Sequence, residues 1–211
     1  MASASSTVLV IDDDPHLLAS IGRLLRSLAI NVQLFASISD FLNSDLPDGP
    51  ACLVLDIRLP GQSGLDLQRE LREANNDIPI IFMTGHGDIP MTVQAMKRGA
   101  IEFLTKPFRD QELLDAIQIG LARDRARREN ETELAVLKER FELLSPRERE
   151  IVVEVAHGRL SKQIAYDIGI AEATVKVHRS KAMQKMQAGS LPELGRIADK
   201  LKLVSKTPHR S

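Results

Sequence analysis

A chain of 211 residues is long for one small domain and comfortable for two, and 43% hydrophobic content is ordinary for a folded protein. The single cysteine, Cys52, cannot form an internal disulfide, which excludes a disulfide-stapled secreted scaffold; no apolar run reaches the length of a membrane span. The polar start Met1–Thr7 has neither the basic nor the apolar region of a secretion signal, so a cytoplasmic protein is expected. The formal net charge of −1 hides an asymmetry. Residues 1–122 carry 9 Lys/Arg against 16 Asp/Glu, and residues 145–211 carry 13 against 7. An acidic front and a basic tail suggest a regulatory or metal-binding module joined to a polyanion binder.

Thr7–Ile11 reads as a short strand that runs into Asp12-Asp13-Asp14. Asp14 as N-cap and Pro15 at the first helical position open a helix carrying Leu17, Leu18, Ile21, Leu24, Leu25 and Leu28 at helical spacing. Asn31–Phe35 is a second strand, and Ser37-Ile-Ser-Asp40 resembles a capping box that starts a short helix. After the Pro47–Pro50 turn, Ala51-Cys-Leu-Val-Leu-Asp56 is a buried strand that delivers a carboxylate to its end, followed by Pro60-Gly61. A helix follows from about Ser63 to near Asn75-Asn76. Pro79–Met83 is continuous and apolar, as a strand covered on both faces should be, and ends in Thr84-Gly-His-Gly87. Pro90–Arg98 reads as a helix stopped by Gly99, Ile101–Thr105 as a fifth strand, and a further helix starts near Asp110. Five strand–helix units in about 120 residues predict an α/β, doubly wound, five-stranded parallel sheet with strand order 2-1-3-4-5.

The fifth helix has no clear stop. Asp110–Phe141 lacks proline and contains one glycine, Gly120, so one long helix is expected, with residues 123–142 as a helical linker whose charged middle suits solvent. Its apolar repeat lapses, which disfavours coiled-coil pairing. Ser145-Pro-Arg-Glu148 is a capping box with proline at the first helical position, and the helix it starts is stopped at Gly158. Ser161 is expected to cap a second helix ending near Gly169. A third runs from Ala171–Thr174 to about Gln187, and Leu191 starts a fourth. Four short helices in a basic module, with a tight turn at Ile168-Gly-Ile170, fit an all-α helix-turn-helix domain.

Several strands end in polar groups that can converge: Asp12 and Asp13, Asp56, Thr84 and then Lys106. Clustered carboxylates repel, and a divalent cation relieves that repulsion; an all-oxygen set with few carboxylates suits Mg²⁺. Asp56 can act as a nucleophile toward a phosphoryl group, Lys106 can neutralise its oxygens, and Thr84 can donate a hydrogen bond to it. Taken singly, each residue has a plainer role: Asp12–Asp14 as a helix start, Asp56 as a turn former, Thr84 as a cap, Lys106 as a solvated lysine. Their order at successive strand ends is what argues for a site. An enzyme that hydrolyses phosphate esters would use the same nucleophile but has no use for a basic helical tail.

The segments VLVIDDDP, CLVLDIRLPGQSG, IFMTGHGDIPMTVQAMKRGAIEFLTKPF and LSPREREIVVEVA, followed by KQIA and GIAEATVKVHR, resemble a FixJ-type response regulator of the NarL/FixJ group. That resemblance implies a receiver over residues 7–122 and a LuxR-type helix-turn-helix over 143–205. It implies a non-enzymatic, two-component regulator of the cytoplasm. Asp56 would be the phosphoacceptor, and Asp13, Asp56 and the Arg58 carbonyl would hold Mg²⁺, with Asp12 acting through water. Thr84 and Lys106 would be the switch pair, Phe103 the switch aromatic and Lys106-Pro107 a cis peptide. Phe103 also follows an alternation with Ile101 that would suit a core aromatic. The implied partners are a sensor histidine kinase, double-stranded promoter DNA, RNA polymerase and, on phosphorylation, a second copy of the chain. The dimer would form on the face of the fourth helix, fifth strand and fifth helix. Lys176, Val177 and Ser180 would reach base edges, and Thr174, His178, Arg179 and Lys181 phosphates.

Overall fold

The computed structural model describes residues 5–85, 93 and 95–203. It divides into two compact units, residues 1–128 and 129–211. The first is built on a five-stranded, wholly parallel sheet of β1 (Thr7–Ile11), β2 (Asn31–Phe35), β3 (Ala51–Asp56), β4 (Ile80–Thr84) and β5 (Glu102–Thr105) in the expected order 2-1-3-4-5. Strands β1, β3 and β4 are buried from end to end because both sheet faces are covered, and this is why their sequences are apolar without alternation.

The strand period of two then sorts their side chains into two cores. Leu9, Ile11, Leu53, Leu55 and Phe82 pack beneath α2 (Ile38–Leu42) and α3 (Gly64–Glu73). Val8, Val10, Val54, Ile81 and Met83 meet α1 (Pro15–Ser27) and the start of α4 (Asp110–Glu142) through Leu18, Ile21, Leu25, Leu113 and Ile117. The alternation expected for Ile101 and Phe103 fails. Ile101 precedes the strand and joins the α1/α4 core, whereas Phe103 packs, half-buried, on the other face.

Local signals behave mostly as their chemistry dictates. Asp14 accepts from the amides of His16 and Leu17 with Pro15 at the first helical position, and Gly99 adopts the left-handed conformation (φ 84°) that terminates a helical segment. Val93 and residues 95–97 are helical and Arg98 lies in the turn that follows; residues 90–92 and 94 of the expected Pro90–Arg98 helix, together with His86-Gly87, lie outside the described residues. At Ser37 the box is incomplete. Asp40 takes the Ser37 hydroxyl at 2.8 Å, since the Asp side chain is one methylene shorter than the Glu that normally reaches back to the cap amide. Gly120 lets α4 lie close on β3, where a β-carbon would stand 3.0 Å from Cys52 Cβ.

The same helix is anchored by a buried carboxylate. Asp124 is wholly buried and accepts from the Ala51 amide at 2.9 Å, from Arg127 at 2.6 Å and from Arg128 at 2.7 Å. Arg128 also donates to the carbonyls of Pro47 and Asp48.

The second unit packs α5 (Pro146–Ala156), α6 (Ser161–Ile168), α7 (Glu172–Met186) and α8 (Leu191–Lys200) around Val152, Ala182, Met186, Leu194 and Ala198, with Ile151, Ile164 and Val175 as a second cluster. Ser145 and Glu148 form the full capping box, and buried Glu148 also pairs with Lys185 at 2.7 Å. Ser161 is not a cap. Leu160 holds that position, and the Gln163 side chain accepts from its amide at 2.9 Å. The Ser161 hydroxyl is thereby left to accept from Arg179 of α7 at 2.9 Å. Among the described residues, no helix is long and apolar enough to cross a membrane.

Candidate phosphoryl-acceptor site and nucleic-acid interface

The parallel sheet carries the ends of β1, β3, β4 and β5 to one edge, where helices are not in the way. Asp12 follows β1, Asp56 closes β3, Thr84 closes β4, and Lys106 follows β5. Asp12 and Thr84 are wholly buried, Asp56 is 6% exposed, and Asp13 is exposed. Carboxylate oxygens of Asp12, Asp13 and Asp56 lie within 4.8 Å of one another, the one such metal-compatible group found among the described residues. The Lys106 ammonium donates to Asp12 Oδ2 at 2.6 Å and to Asp56 Oδ2.

Backbone bonds set the remaining geometry. The Arg58 amide donates to Asp56 Oδ1 at 2.8 Å, the Asp14 amide to Asp12 Oδ1 at 2.9 Å, and the Lys106 amide to the Thr84 carbonyl at 2.7 Å. Lys106-Pro107 is cis. Gly64 sits so close behind the end of β3 that a β-carbon there would be 2.5 Å from the Asp56 carbonyl oxygen. Five of the pocket residues expected from the sequence are thus brought together, Arg58 stands beside them through its amide, and Phe103 lies half-buried on the next strand.

The electrostatics are compatible with a divalent cation. Burial raises the Asp12 carboxyl above the ordinary Asp range, and the Asp56 charge adds to that; the Lys106 and Asp14 hydrogen bonds oppose it without cancelling it. Lys106 is raised: burial lowers it, but its bonds to Asp12 and Asp56 outweigh burial. One ammonium against three carboxylates leaves negative charge for a hard cation to balance, and an open set of a few oxygens suits Mg²⁺.

In the second unit, Gly169 takes the left-handed conformation (φ 67°) between α6 and α7, which allows the tight turn of a helix-turn-helix. Val175, Ala182 and Met186 face its core. Thr174, Lys176, Val177, Ser180 and Lys181 are exposed, and a 53% exposed valine among lysines suits contact with a thymine methyl. His178 and Arg179 are half-buried, and Arg179 is bound to Ser161. Sequence reasoning missed that bond, and with it the part Arg179 takes in joining α6 to α7; a serine at the first turn of one helix and an arginine on the next was the available signal.

Comparison with known proteins gives the families of both units. The response regulator receiver domain model matches residues 8–118, and that of the bacterial regulatory proteins of the luxR family matches 142–198. Nodulation protein W of Bradyrhizobium diazoefficiens is 52% identical over 200 residues, spanning 95% of this chain and 88% of that protein. Response regulator protein TodT of Pseudomonas putida is 46% identical over 202 residues, spanning 96% and 89%. The solved structure of response regulator StyR is similar with a TM-score of 0.80 at 47% identity, covering 93% of this chain and all of that one. Full-length FixJ from B. japonicum is similar with a TM-score of 0.55 at 35% identity, covering 94% and 98%. The chain therefore belongs to the two-component response regulators of the NarL/FixJ type, in which a receiver domain is joined to a LuxR-type DNA-binding domain.

Proposed function

We propose that this regulator accepts a phosphoryl group on Asp56 from the phosphohistidine of a sensor kinase in the cytoplasm, and that the modified chain dimerises and binds promoter DNA to activate transcription through RNA polymerase. The observation that carries this reading is the convergence of Asp12, Asp13 and Asp56 with Lys106 at one sheet edge, in a chain whose other unit is a basic helix-turn-helix. Asp56 attacks phosphorus through a carboxylate oxygen; the N–P bond to histidine breaks as the O–P bond of the acyl phosphate forms. Lys106, already within reach of Asp56, moves its ammonium contact to the phosphoryl oxygens.

Asp13, Asp56 and the Arg58 carbonyl would hold Mg²⁺, with Asp12 acting through water. When bound, that ion neutralises charge on the transferring oxygens. The chain's own chemistry ends there, apart from slow hydrolysis of the acyl phosphate, so it is a phosphoacceptor rather than an enzyme.

Thr84 then donates its hydroxyl to the phosphoryl, and Phe103, half-buried on the neighbouring strand, turns inward to fill the space. The surface around β5 and the first half of α4 changes shape and pairs with a second copy. Shifting a population from 1:99 to an even mixture takes about 2.7 kcal/mol, the scale of one or two charge-assisted hydrogen bonds. On DNA, Lys176, Val177 and Ser180 meet base edges, and Thr174, His178, Arg179 and Lys181 meet phosphates. Residues 7–122, 123–142 and 143–205 would serve as receiver, helical linker and DNA-binding domain.

The test compares wild type and Asp56→Asn, with and without a small phosphodonor and Mg²⁺, by light scattering and DNA-binding anisotropy. Wild type should become a tighter-binding dimer while the variant stays unchanged. Equal binding by both proteins, indifferent to phosphodonor, would reduce the receiver to a scaffold.

A further inference from the structure

A second charged cavity lies at the opposite edge of the same sheet. It opens at the amino end of β4, beside Ile78–Ile80, whereas Thr84 at the carboxyl end of β4 belongs to the phosphoryl pocket; a five-residue strand separates the two by about 13 Å. Its volume is about 380 Å³, within the range of small-ligand sites. Arg72 of α3, Arg98, and Arg123 and Arg127 of α4 line it, and Asp77 is its one carboxylate.

Arg127 is committed to Asp124. Arg72, Arg98 and Arg123 have no ion-pair partner among the described residues. Three guanidinium groups against one carboxylate therefore leave a formal excess of two positive charges in a concave site. Guanidinium forks are the groups best shaped to grip the oxygens of a tetrahedral or planar anion.

The wall behind these arginines includes Gln68. It lines the same cavity, is 2% exposed, and its Oε1 has no hydrogen-bond partner among the described residues. The amide orientation follows from its neighbours: Nε2 faces the carbonyls of Ala95 at 3.5 Å and Arg98 at 3.3 Å, so the oxygen must be the other end. That oxygen is sealed from the cavity, so recognition falls to the arginines, and a phosphate group presents the several anionic oxygens that fit them.

We propose that this cavity binds a phosphate group, carried by free phosphate or by a phosphorylated small molecule, and gives the receiver an anion input separate from Asp56. The test is a titration of the full chain, at constant ionic strength near neutral pH, followed by ¹H–¹⁵N spectra with inorganic phosphate, sulfate and glycerol phosphate as probes. Phosphate should shift the amides of Asp77, Ile78 and Gly99 and the Gln68 side chain saturably. Sulfate has the same tetrahedral array of anionic oxygens and should compete for the same resonances.

Arg98→Gln with Arg123→Gln should abolish these shifts and leave the rest of the spectrum in place. Arg72→Gln alone should weaken them if the double variant fails to fold. Tighter binding of glycerol phosphate at these resonances would identify an ester as the ligand, and weaker binding would identify free phosphate. Shifts at the cavity amides that stay linear without saturation, or shifts confined to residues 174–181 or to the Asp12 and Asp56 loops, would overturn the proposal.

Discussion

Replacing Gly64 with alanine sets two opposing effects against each other at the phosphoacceptor. Gly64 is the first residue of α3 and is not in the left-handed region, so alanine would ordinarily stabilise the helix by up to about 1 kcal/mol. The new methyl, however, would stand 2.5 Å from the Asp56 carbonyl oxygen, 3.0 Å from Leu55 Cγ and 3.2 Å from Ile57 Cα, where ordinary contact begins at 3.4 Å. Two of those three atoms are backbone of the strand end and the residue after it, and cannot swing away. Helix and strand must separate by roughly 0.9 Å, an overpacking that costs about 1–3 kcal/mol. The net is a loss of about 1–2 kcal/mol and a fall of roughly 4–8 °C in the receiver's melting temperature. Because the displaced atom belongs to Asp56, phosphorylation by a small phosphodonor should slow by roughly 10- to 100-fold. Calorimetry and a phosphorylation time course on the full chain measure both. Gly195→Ala is the control. Nothing lies within 4 Å of its β-carbon on α8, so the second unit should gain about 0.5–1 kcal/mol. A Gly64→Ala protein that melts at or above wild type and phosphorylates normally would refute the close-approach reasoning.

Three further outcomes are expected. Burial raises the Asp124 carboxyl, but the bonds from Ala51, Arg127 and Arg128 outweigh it and hold it below the usual carboxylate range. Its contribution is therefore present above the ordinary Asp value of about pH 4 and is lost as pH falls through the lower folded-state value. Asp124→Asn should be less stable at neutral pH, with a melting temperature that falls less on acidification; parallel pH profiles would remove Asp124 from the acid response. Mg²⁺ should raise the receiver's melting temperature, by about 2.7 kcal/mol of stabilisation at a hundredfold excess over Kd. A chelator should reverse that gain and Asp13→Asn should suppress it; an unchanged gain in the variant would place the ion elsewhere. Lys176→Ala should weaken specific DNA binding by about 1–3 kcal/mol on some sequences more than others. A uniform loss across sequences, with a salt slope reduced by about one, would make Lys176 a phosphate contact instead.

Much of the receiver was legible because a parallel sheet writes plainly: the apolar runs at Val8–Ile11, Leu53–Leu55 and Ile80–Met83 admit few other folds, and each ends in a polar residue of the pocket. The convergence of Asp12, Asp13, Asp56 and Lys106 followed from strand order alone. What stayed hidden depended on contacts distant in sequence or on choices between near-equal partners. Ser161 looks like a cap until Gln163 takes the Leu160 amide and Arg179 takes the hydroxyl. Asp124 stands in a run of charges that reads as a solvated helix face, and its bond to the Ala51 amide, 73 residues earlier, is invisible to any local pattern. The cavity arginines are scattered over α3, Arg98 and α4, and no local pattern announces them.

The Asp124 anchor also changes where a self-sufficient receiver can be cut. A chain ended after Ala122, where strand–helix counting puts the border, would discard the carboxylate that caps the first amide of β3 and leave that donor buried without its acceptor. Extending the cut to Arg128 keeps Asp124, both of its guanidinium partners and the clasp on the Pro47 and Asp48 carbonyls. Two polypeptides that differ by six residues of exposed-looking helix should therefore differ in whether the strand bearing the phosphoacceptor is properly seated at its far end.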